Sequence, residues 1–276
     1  MMYSRLKGGL ELPAVGFGTY KTKLEAIRLA IEAGYRYLDT AAIYGNESDV
    51  GEAIRNSGIP REKFIIASKL WKTDMTGDVR EAFYRSLELI GTDYLDVYFI
   101  HWPRPDLNYT DWKKLDRDIW HVMEELYLEG RIKALGLSNF LPYHADNIIS
   151  SCNVMPSVAQ IEFHPGHLQA LALNYYREKN ILVQAWSPTG RLRVLDDVLI
   201  QELARKYSVS PVQICLRFCI DEGVMPLPKA SSLEHLKANL ECLNFQLEPE
   251  DISRIENMPP LGWGGEHPDR ERIKLS

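Results

Sequence analysis

Eight short apolar or β-branched runs recur along this 276-residue chain, and amphipathic stretches with helical spacing separate them. The runs cover residues 14–19, 37–40, 64–70, 94–102, 132–138, 158–163, 181–186 and 224–228, with helical patterns over 23–33, 78–90, 111–128 and 171–179 among others. This alternation predicts parallel βαβ units, because parallel strands need a long crossover connection. Eight units without a long linker favour a closed (β/α)8 TIM barrel, as a single domain over residues 1–276, rather than an open doubly wound sheet.

Two features near the start of the chain refine this fold. The stretch Leu6-Lys7-Gly8-Gly9-Leu10 predicts a two-residue turn between short strands, which gives a short β-hairpin ahead of the barrel. The stretch from Gly16 to Lys21 breaks the glycine-rich dinucleotide pattern at its last position. That departure counts further against a doubly wound nucleotide-binding fold.

Composition excludes several classes of function. Hydrophobic residues make up 45% and charged residues 25% of the chain, and the net charge is −6. This balance is typical of a soluble globular protein and argues against a nucleic-acid or anionic-membrane partner. Without a signal peptide or a long apolar run, we expect a cytoplasmic protein. None of the four cysteines forms a Cys-x-x-Cys pair, and Cys215 and Cys219 have the spacing of one buried helix face.

Polar residues end three successive apolar runs, at Asp39, Lys69 and His101, and Tyr44 follows in the loop after the second run. Alone, each has an ordinary structural explanation, such as a turn or cap for Asp39 and a solvated strand end for Lys69. In a (β/α)8 barrel, however, the active site lies at the carboxyl ends of the strands. The predicted fold therefore brings all four side chains to one mouth.

These four residue types suit a proton-transfer site. A tyrosine is protonated at neutral pH, and a lysine ammonium at about 4 Å would lower its pKa by up to about three units. Asp39 would keep the lysine protonated, and His101 would donate a hydrogen bond to a substrate carbonyl. Together they predict a site that protonates an oxygen while the neighbouring carbon is attacked.

Seven segments together resemble the aldo-keto reductases, over residues 16–267. They read LDTAAIYGNE, IASKLW, FIHWP, GLSNF, VAQIEFHP, AWSPTG and LPKASS, in this order. The resemblance implies a metal-free, monomeric (β/α)8 barrel that reduces carbonyls with a hydride from NAD(P)H. It implies Tyr44 as the proton donor, Lys69 and Asp39 as the pair that tunes it, and His101 as the carbonyl orienter.

The resemblance also implies a cofactor site for NADPH, with NADH as a second cofactor. Its residues are Gly18, Thr19, Tyr20, Asp39, Ser138, Asn139, Gln160, Trp186, Ser187, Gly190, Lys229, Ser231, His235 and Asn239. Ser138, Asn139 and Gln160 would bind the nicotinamide carboxamide, and Trp186 stands where the family usually has a stacking tyrosine. His235 stands where the family commonly has a 2′-phosphate-binding arginine. Because a mostly neutral histidine grips phosphate less well, we expect a reduced advantage of NADPH over NADH.

Four residues just past strand ends predict a substrate pocket: Tyr20, Trp71, His101 and Trp102. The tail over residues 259–276 is short compared with family members that bind bulky substrates, so we expect a small aldehyde, ketone or diketone such as methylglyoxal. One alternative is a regulatory, redox-sensing member of the superfamily with little turnover. Another, a metal-dependent barrel hydrolase, would need clustered ligands on the first strand, and we interpret His164 and His167 as structural.

Overall fold

A parallel eight-stranded barrel forms the body of the computed structural model, which describes residues 3–273. Its strands are β3 Phe17–Gly18, β4 Tyr37–Asp39, β5 Ile65–Leu70, β6 Leu95–Ile100, β7 Ile132–Ser138, β8 Val158–Glu162, β9 Leu182–Trp186 and β10 Val224–Leu227. Each strand pairs with the next one along the chain. Two backbone hydrogen bonds join the first strand region to the last, from Gly16 N to Pro226 O (3.1 Å) and from Gly18 N to Pro228 O (3.0 Å). The predicted barrel is therefore confirmed, although its first strand is shorter than the run over 14–19.

Ten helices cover the outside of the barrel in the described part of the chain, and the bounds of four of them (the first, third, fourth and sixth) lie within one residue of the four ranges predicted above. They are α1 Leu24–Ala33, α2 Glu47–Asn56, α3 Val79–Ile90, α4 Trp112–Leu128, α5 Pro142–Ile149, α6 Ala170–Glu178, α7 Val198–Tyr207, α8 Pro211–Asp221, α9 Leu233–Leu240 and α10 Pro249–Glu256. Helices α7 and α10 are additions to the strand–helix alternation. Local chemistry sets the ends of α3: the Asp78 carboxylate accepts from the first-turn amides, and Gly91 closes the helix at φ +74°.

The predicted hairpin precedes the barrel, formed by β1 Tyr3–Arg5 and β2 Glu11–Pro13. Its turn differs from the prediction. Leu6 N donates to Leu10 O at 2.8 Å, which leaves a three-residue loop, and two consecutive glycines at positive φ complete it. Leu6 and Leu12 are buried beside Tyr37 and Val97 of the barrel interior, so the hairpin closes the end of the barrel at which the strands begin.

The barrel interior changes from apolar to polar along the strand direction. Near the hairpin it is filled by large side chains, and Gly136 makes room for one of them, since a Cβ there would lie 2.4 Å from the ring of Phe99. A larger core lies between the strands and the helices and includes Cys215 and Cys219, both buried on α8 as predicted. All four cysteines are free. None of the helices described here is long and apolar enough to span a bilayer.

Candidate active site

A buried ion pair lies where β4 and β5 end. Lys69 Nζ donates to Asp39 Oδ2 at 2.6 Å and to the Thr40 carbonyl at 2.8 Å, and both charged side chains are almost fully buried. Gln160 Nε2 donates to the other Asp39 oxygen at 2.8 Å. Burial lowers the pKa of Lys69, while the charge and hydrogen bond of Asp39 act in the opposite direction. Among residues 3–273, one ammonium hydrogen of Lys69 has no acceptor.

Tyr44 stands over this pair, at the end of a 3-10 turn, Ala42–Tyr44. Lys69 Nζ lies 5.2 Å from the centroid of its ring. Asn46 fixes the loop, because its amide donates to the Thr19 carbonyl at 2.8 Å and accepts from the Thr40 hydroxyl at 2.9 Å. The turn thus holds the phenol close to the ammonium, as the strand-end pattern predicts.

The pKa of Tyr44 shifts in the direction opposite to our expectation. Burial raises the pKa well above that of a free tyrosine, and the negative charge of Asp39 raises it further. Burial outweighs the expected lowering of the Tyr44 pKa by Lys69, and Asp39, which lies 2.6 Å from Lys69 Nζ, offsets the ammonium charge. Tyr44 is therefore protonated at neutral pH and can donate a hydrogen bond.

His101 completes the group at the end of β6. Its ring centroid lies 5.9 Å from that of Tyr44 and 5.0 Å from that of Trp71. Burial lowers the pKa of His101 well below its usual range, and the charges of Lys69 and Lys72 lower it further. The imidazole is therefore neutral at pH 7 and can donate one hydrogen bond without transferring its proton. Its Nδ1 is buried without a partner in the described part of the chain.

Polar groups suited to a carboxamide lie across the mouth, on β7, β8 and β9. Asn139 Nδ2 donates to Ser138 Oγ at 3.1 Å and Trp186 Nε1 donates to Asn139 Oδ1 at 2.8 Å. Gln160 donates with its amide hydrogens to Asp39 and to Gln184. Its carbonyl oxygen and the Ser138 hydroxyl hydrogen have no partner among the described residues. One acceptor and one donor are what a nicotinamide carboxamide requires, so these residues fit the group.

Three cations lie on the other side of the mouth: Lys21, Arg191 and Lys229. Their contacts with the rest of the protein do not balance all three positive charges. Lys229 Nζ donates to the Tyr20 carbonyl at 3.2 Å, and the charges of Lys21 and Arg191 add to burial in lowering its pKa. Arg191 lies 3.8 Å from its nearest carboxylate, on Glu266. Like charges held together are unfavourable unless an anion balances them, which suits the phosphates of a dinucleotide.

The remaining predicted cofactor residues lie in or just after β3, β9 and β10, or in α9. Ser231 and His235 are exposed at the start of α9, where Ser232 caps the helix, whereas Asn239 is buried in its last turn. Gly18 lies in β3 with the Leu227 carbonyl 3.0 Å from where a Cβ would be, and Thr19 is buried. Ser187 and Gly190 follow β9, both at positive φ.

Backbone strain is concentrated at the same face. In the part of the chain that the structure describes, nine non-glycine residues have positive φ. Seven of them lie in loops that follow barrel strands, and two, Asn180 and Ser208, do not. Such conformations cost about 1–3 kcal/mol each and persist where surrounding contacts enforce them, often at functional sites. The strain thus marks the carboxyl-end face independently of the polar residues.

The segment over residues 263–269 packs across this mouth, which the sequence did not predict. Arg104, in the loop after β6, forms an ion pair with Asp269 at 2.5 Å, and His144 of α5 lies 3.1 Å from the same carboxylate. A small cavity between this segment and the barrel is lined by predicted residues and by unpredicted ones: Trp102, Asn139, Trp186, Trp263 and Glu266 among others. Tyr20 and Trp71 lie on the other side, in ring contact with Tyr44 and His101 respectively.

The loop after β8 carries the two histidines that we interpret as structural. His164 and His167 pair through their backbones, and His164 Nε2 lies 3.5 Å from Glu162 Oε1. Within residues 3–273 no group of three or more His, Cys, Asp or Glu side chains is arranged to hold a metal ion. These contacts agree with a structural role for both histidines.

Comparisons with known proteins agree with this arrangement. The family model "Aldo/keto reductase family" matches residues 12–259. The chain belongs to the aldo/keto reductase family. It is 36% identical over 271 residues to a glyoxal reductase of Bacillus subtilis (strain 168), covering 96% of this chain and 95% of that protein. It is 34% identical over 272 residues to a methylglyoxal reductase of Escherichia coli (strain K12), covering 96% of each.

Two further relatives extend the comparison. A crystal structure of an aldo/keto reductase from Brucella melitensis superposes with a TM-score of 0.86 at 35% identity, over 92% of this chain and 98% of that one. A 9,11-endoperoxide prostaglandin H2 reductase of Trypanosoma cruzi (strain CL Brener) is 36% identical over 262 residues, covering 92% of this chain and 90% of that protein. The names of these similar aldo/keto reductases thus refer to substrates of very different size, from the two-carbon dialdehyde glyoxal to a prostanoid.

Proposed function

We propose that this aldo/keto reductase reduces small aldehydes and ketones to alcohols with NADPH, and less efficiently with NADH. The observation that supports the proposal best is the buried Lys69–Asp39 pair beneath the protonated Tyr44 phenol, with the neutral His101 imidazole facing it. The reductase names of relatives that match nearly the whole chain agree with this chemistry.

Each residue has a separate task in this reaction. His101 and Tyr44 donate hydrogen bonds to the carbonyl oxygen and orient it. As negative charge develops on that oxygen, Tyr44 gives up its proton, and the nearby ammonium of Lys69 stabilises the phenolate that remains. Asp39 keeps Lys69 charged in its buried position. The nicotinamide, when bound, supplies the hydride that reaches the carbonyl carbon.

The cofactor would lie between the two polar groups of the mouth. Ser138, Asn139 and Gln160 would hold the carboxamide, and Trp186 would pack against its ring. Lys229, with Lys21 and Arg191 nearby, would bind the phosphates. His235, exposed in the first turn of α9, lacks the planar two-point grip of an arginine on phosphate, so the advantage of NADPH over NADH should stay below about a thousandfold in kcat/KM. A larger preference would contradict the assignment of His235.

Loss of NADPH absorbance with methylglyoxal and a panel of simple aldehydes tests the proposal. We expect steady turnover by the native chain and a loss of at least about a hundredfold in kcat for Tyr44→Phe, which removes only the donated proton. Near-native kcat in Tyr44→Phe would refute the role of Tyr44. Tight NADPH binding without turnover of any carbonyl would favour the redox-sensing alternative instead.

A further inference from the structure

Lys72 is a cation at the mouth that neither the proton transfer nor the cofactor site uses. It begins the short 3-10 turn Lys72–Asp74, directly after Trp71. Its Nζ lies 4.9 Å from the centroid of the Trp102 ring. Among the described residues it has no carboxylate within 4.0 Å and no side-chain hydrogen bond. Lys72 is therefore a half-buried ammonium held against an aromatic wall of the predicted substrate pocket.

The charge of Lys72 also acts on the proposed reacting centre through its effect on the pKa of His101. After Lys69, it is the second charge that lowers the pKa of His101. Burial is the largest cause that lowers the pKa of Lys72 itself, and three carboxylates, led by Glu266, oppose it from beyond ion-pair distance. The ammonium thus bears a desolvation cost that no close protein anion offsets.

Two of these three carboxylates, Glu266 and Asp106, have closer partners of their own, and the third, Glu271, is exposed to solvent. Glu266 Oε1 lies 2.9 Å from Arg272 Nε and 3.8 Å from Arg191. Asp106 accepts from the Asn108 amide at 2.8 Å, within its own loop. These bonds leave Lys72 available for an anion that enters the pocket.

We propose that Lys72 forms an anion subsite that selects carbonyl substrates bearing a carboxylate, such as oxo acids. The carbonyl of such a substrate would contact Tyr44 and His101, and its carboxylate would reach Lys72 along the wall formed by Trp71 and Trp102. This inference rests on the proposed carbonyl reduction and narrows its substrate class. A charge-assisted hydrogen bond in a half-buried site should change kcat/KM by about tenfold, or about 1.4 kcal/mol.

Pairs of substrates that differ only in charge test the subsite. We would measure kcat/KM for 3- and 4-carboxybenzaldehyde and for their methyl esters, and for succinic semialdehyde against butanal. The acid-to-neutral ratio within one enzyme cancels any general effect of a substitution on turnover. In Lys72→Met we expect the ratio of at least one pair to fall about tenfold, mainly through KM, and in Lys72→Arg to remain near the native value.

Lys63→Met is the matched control. Lys63 is exposed just before the opposite end of the same strand, β5, so its removal changes the net charge equally without touching the mouth. We expect the native ratio in this variant, and a native ratio that declines between 20 and 500 mM NaCl because salt screens the attraction.

The outcomes separate the subsite from the reaction. If the neutral carbonyls are reduced but every ratio in Lys72→Met equals the native one, the subsite is refuted and the carbonyl reductase stands. An equal fall in Lys63→Met would also refute it, because the effect would then come from net charge. If no carbonyl of either kind is reduced, the proposed function fails and the subsite with it.

Discussion

The buried pair of Asp39 and Lys69 predicts a strong energetic coupling, which a double-mutant cycle can measure. Asp39→Asn leaves a lone lysine, and Lys69→Met leaves a lone carboxylate, each almost fully buried. Each lone group can become neutral, the lysine by losing a proton and the aspartate by binding one. For lysine this costs at most about (10.4 − 7) × 1.36, or roughly 4.6 kcal/mol at pH 7, and for aspartate about (7 − 3.9) × 1.36, or roughly 4.2 kcal/mol. We therefore expect each single substitution to lower the free energy of unfolding by about 3–4 kcal/mol.

The double variant Asp39→Asn/Lys69→Met should be no less stable than either single variant, because it contains no unpaired charge. Urea denaturation at pH 7, followed by circular dichroism, measures all four proteins, and unchanged slopes against urea would keep the comparison valid. Additive losses, with the double variant about 6 kcal/mol or more below the native protein, would refute the coupling. The double variant should nevertheless lose turnover, which separates the stability of the pair from its chemical task.

Three further predictions concern other parts of the barrel. Burial raises the pKa of Asp116 to about 7, so between pH 4 and 7 the native chain binds more protons than the unfolded chain and its stability falls as pH rises. Asp116→Asn should remove that decline and stabilise the protein at pH 8 by roughly 2–4 kcal/mol in urea denaturation, and an unchanged pH dependence would contradict this. Gly136→Ala should cost about 1–3 kcal/mol because its Cβ meets the Phe99 ring, and Phe99→Leu in the same chain should recover part of the loss, whereas a neutral Gly136→Ala would mean that the ring moves freely. Because burial keeps His101 neutral, the pH profile of kcat/KM should show no inflection near pH 6.5 that comes from this residue. An inflection there in the native protein that is absent from His101→Gln would contradict this prediction.

The sequence already contained the barrel and the positions of its candidate reacting groups. Eight apolar runs with crossover helices permit few other arrangements, and polar residues at the ends of parallel strands necessarily share one face. Asp39, Lys69 and His101 could therefore be brought to one mouth without coordinates. The predictions of the strand limits and of the hairpin turn were less accurate. Hydrogen-bond pairing between strands determines these features, and the apolar pattern alone does not.

Tertiary structure decided the electrostatics and the partners. Burial around Tyr44 and the charge of Asp39, which lies 2.6 Å from Lys69, reverse the expected direction of the Tyr44 pKa, because the phenol responds to desolvation and to the net charge around it and not to one nearby lysine. The ion pair of Arg104 with Asp269 joins residues 165 positions apart, and no local pattern indicates it. The sequence pattern does not distinguish Lys72 from other lysines that follow strands, and only the tertiary structure places its ammonium against the Trp102 ring. Sequence fixes which groups reach the mouth through local periodicity, whereas their pKa values and partners depend on contacts that exist only once distant segments pack together.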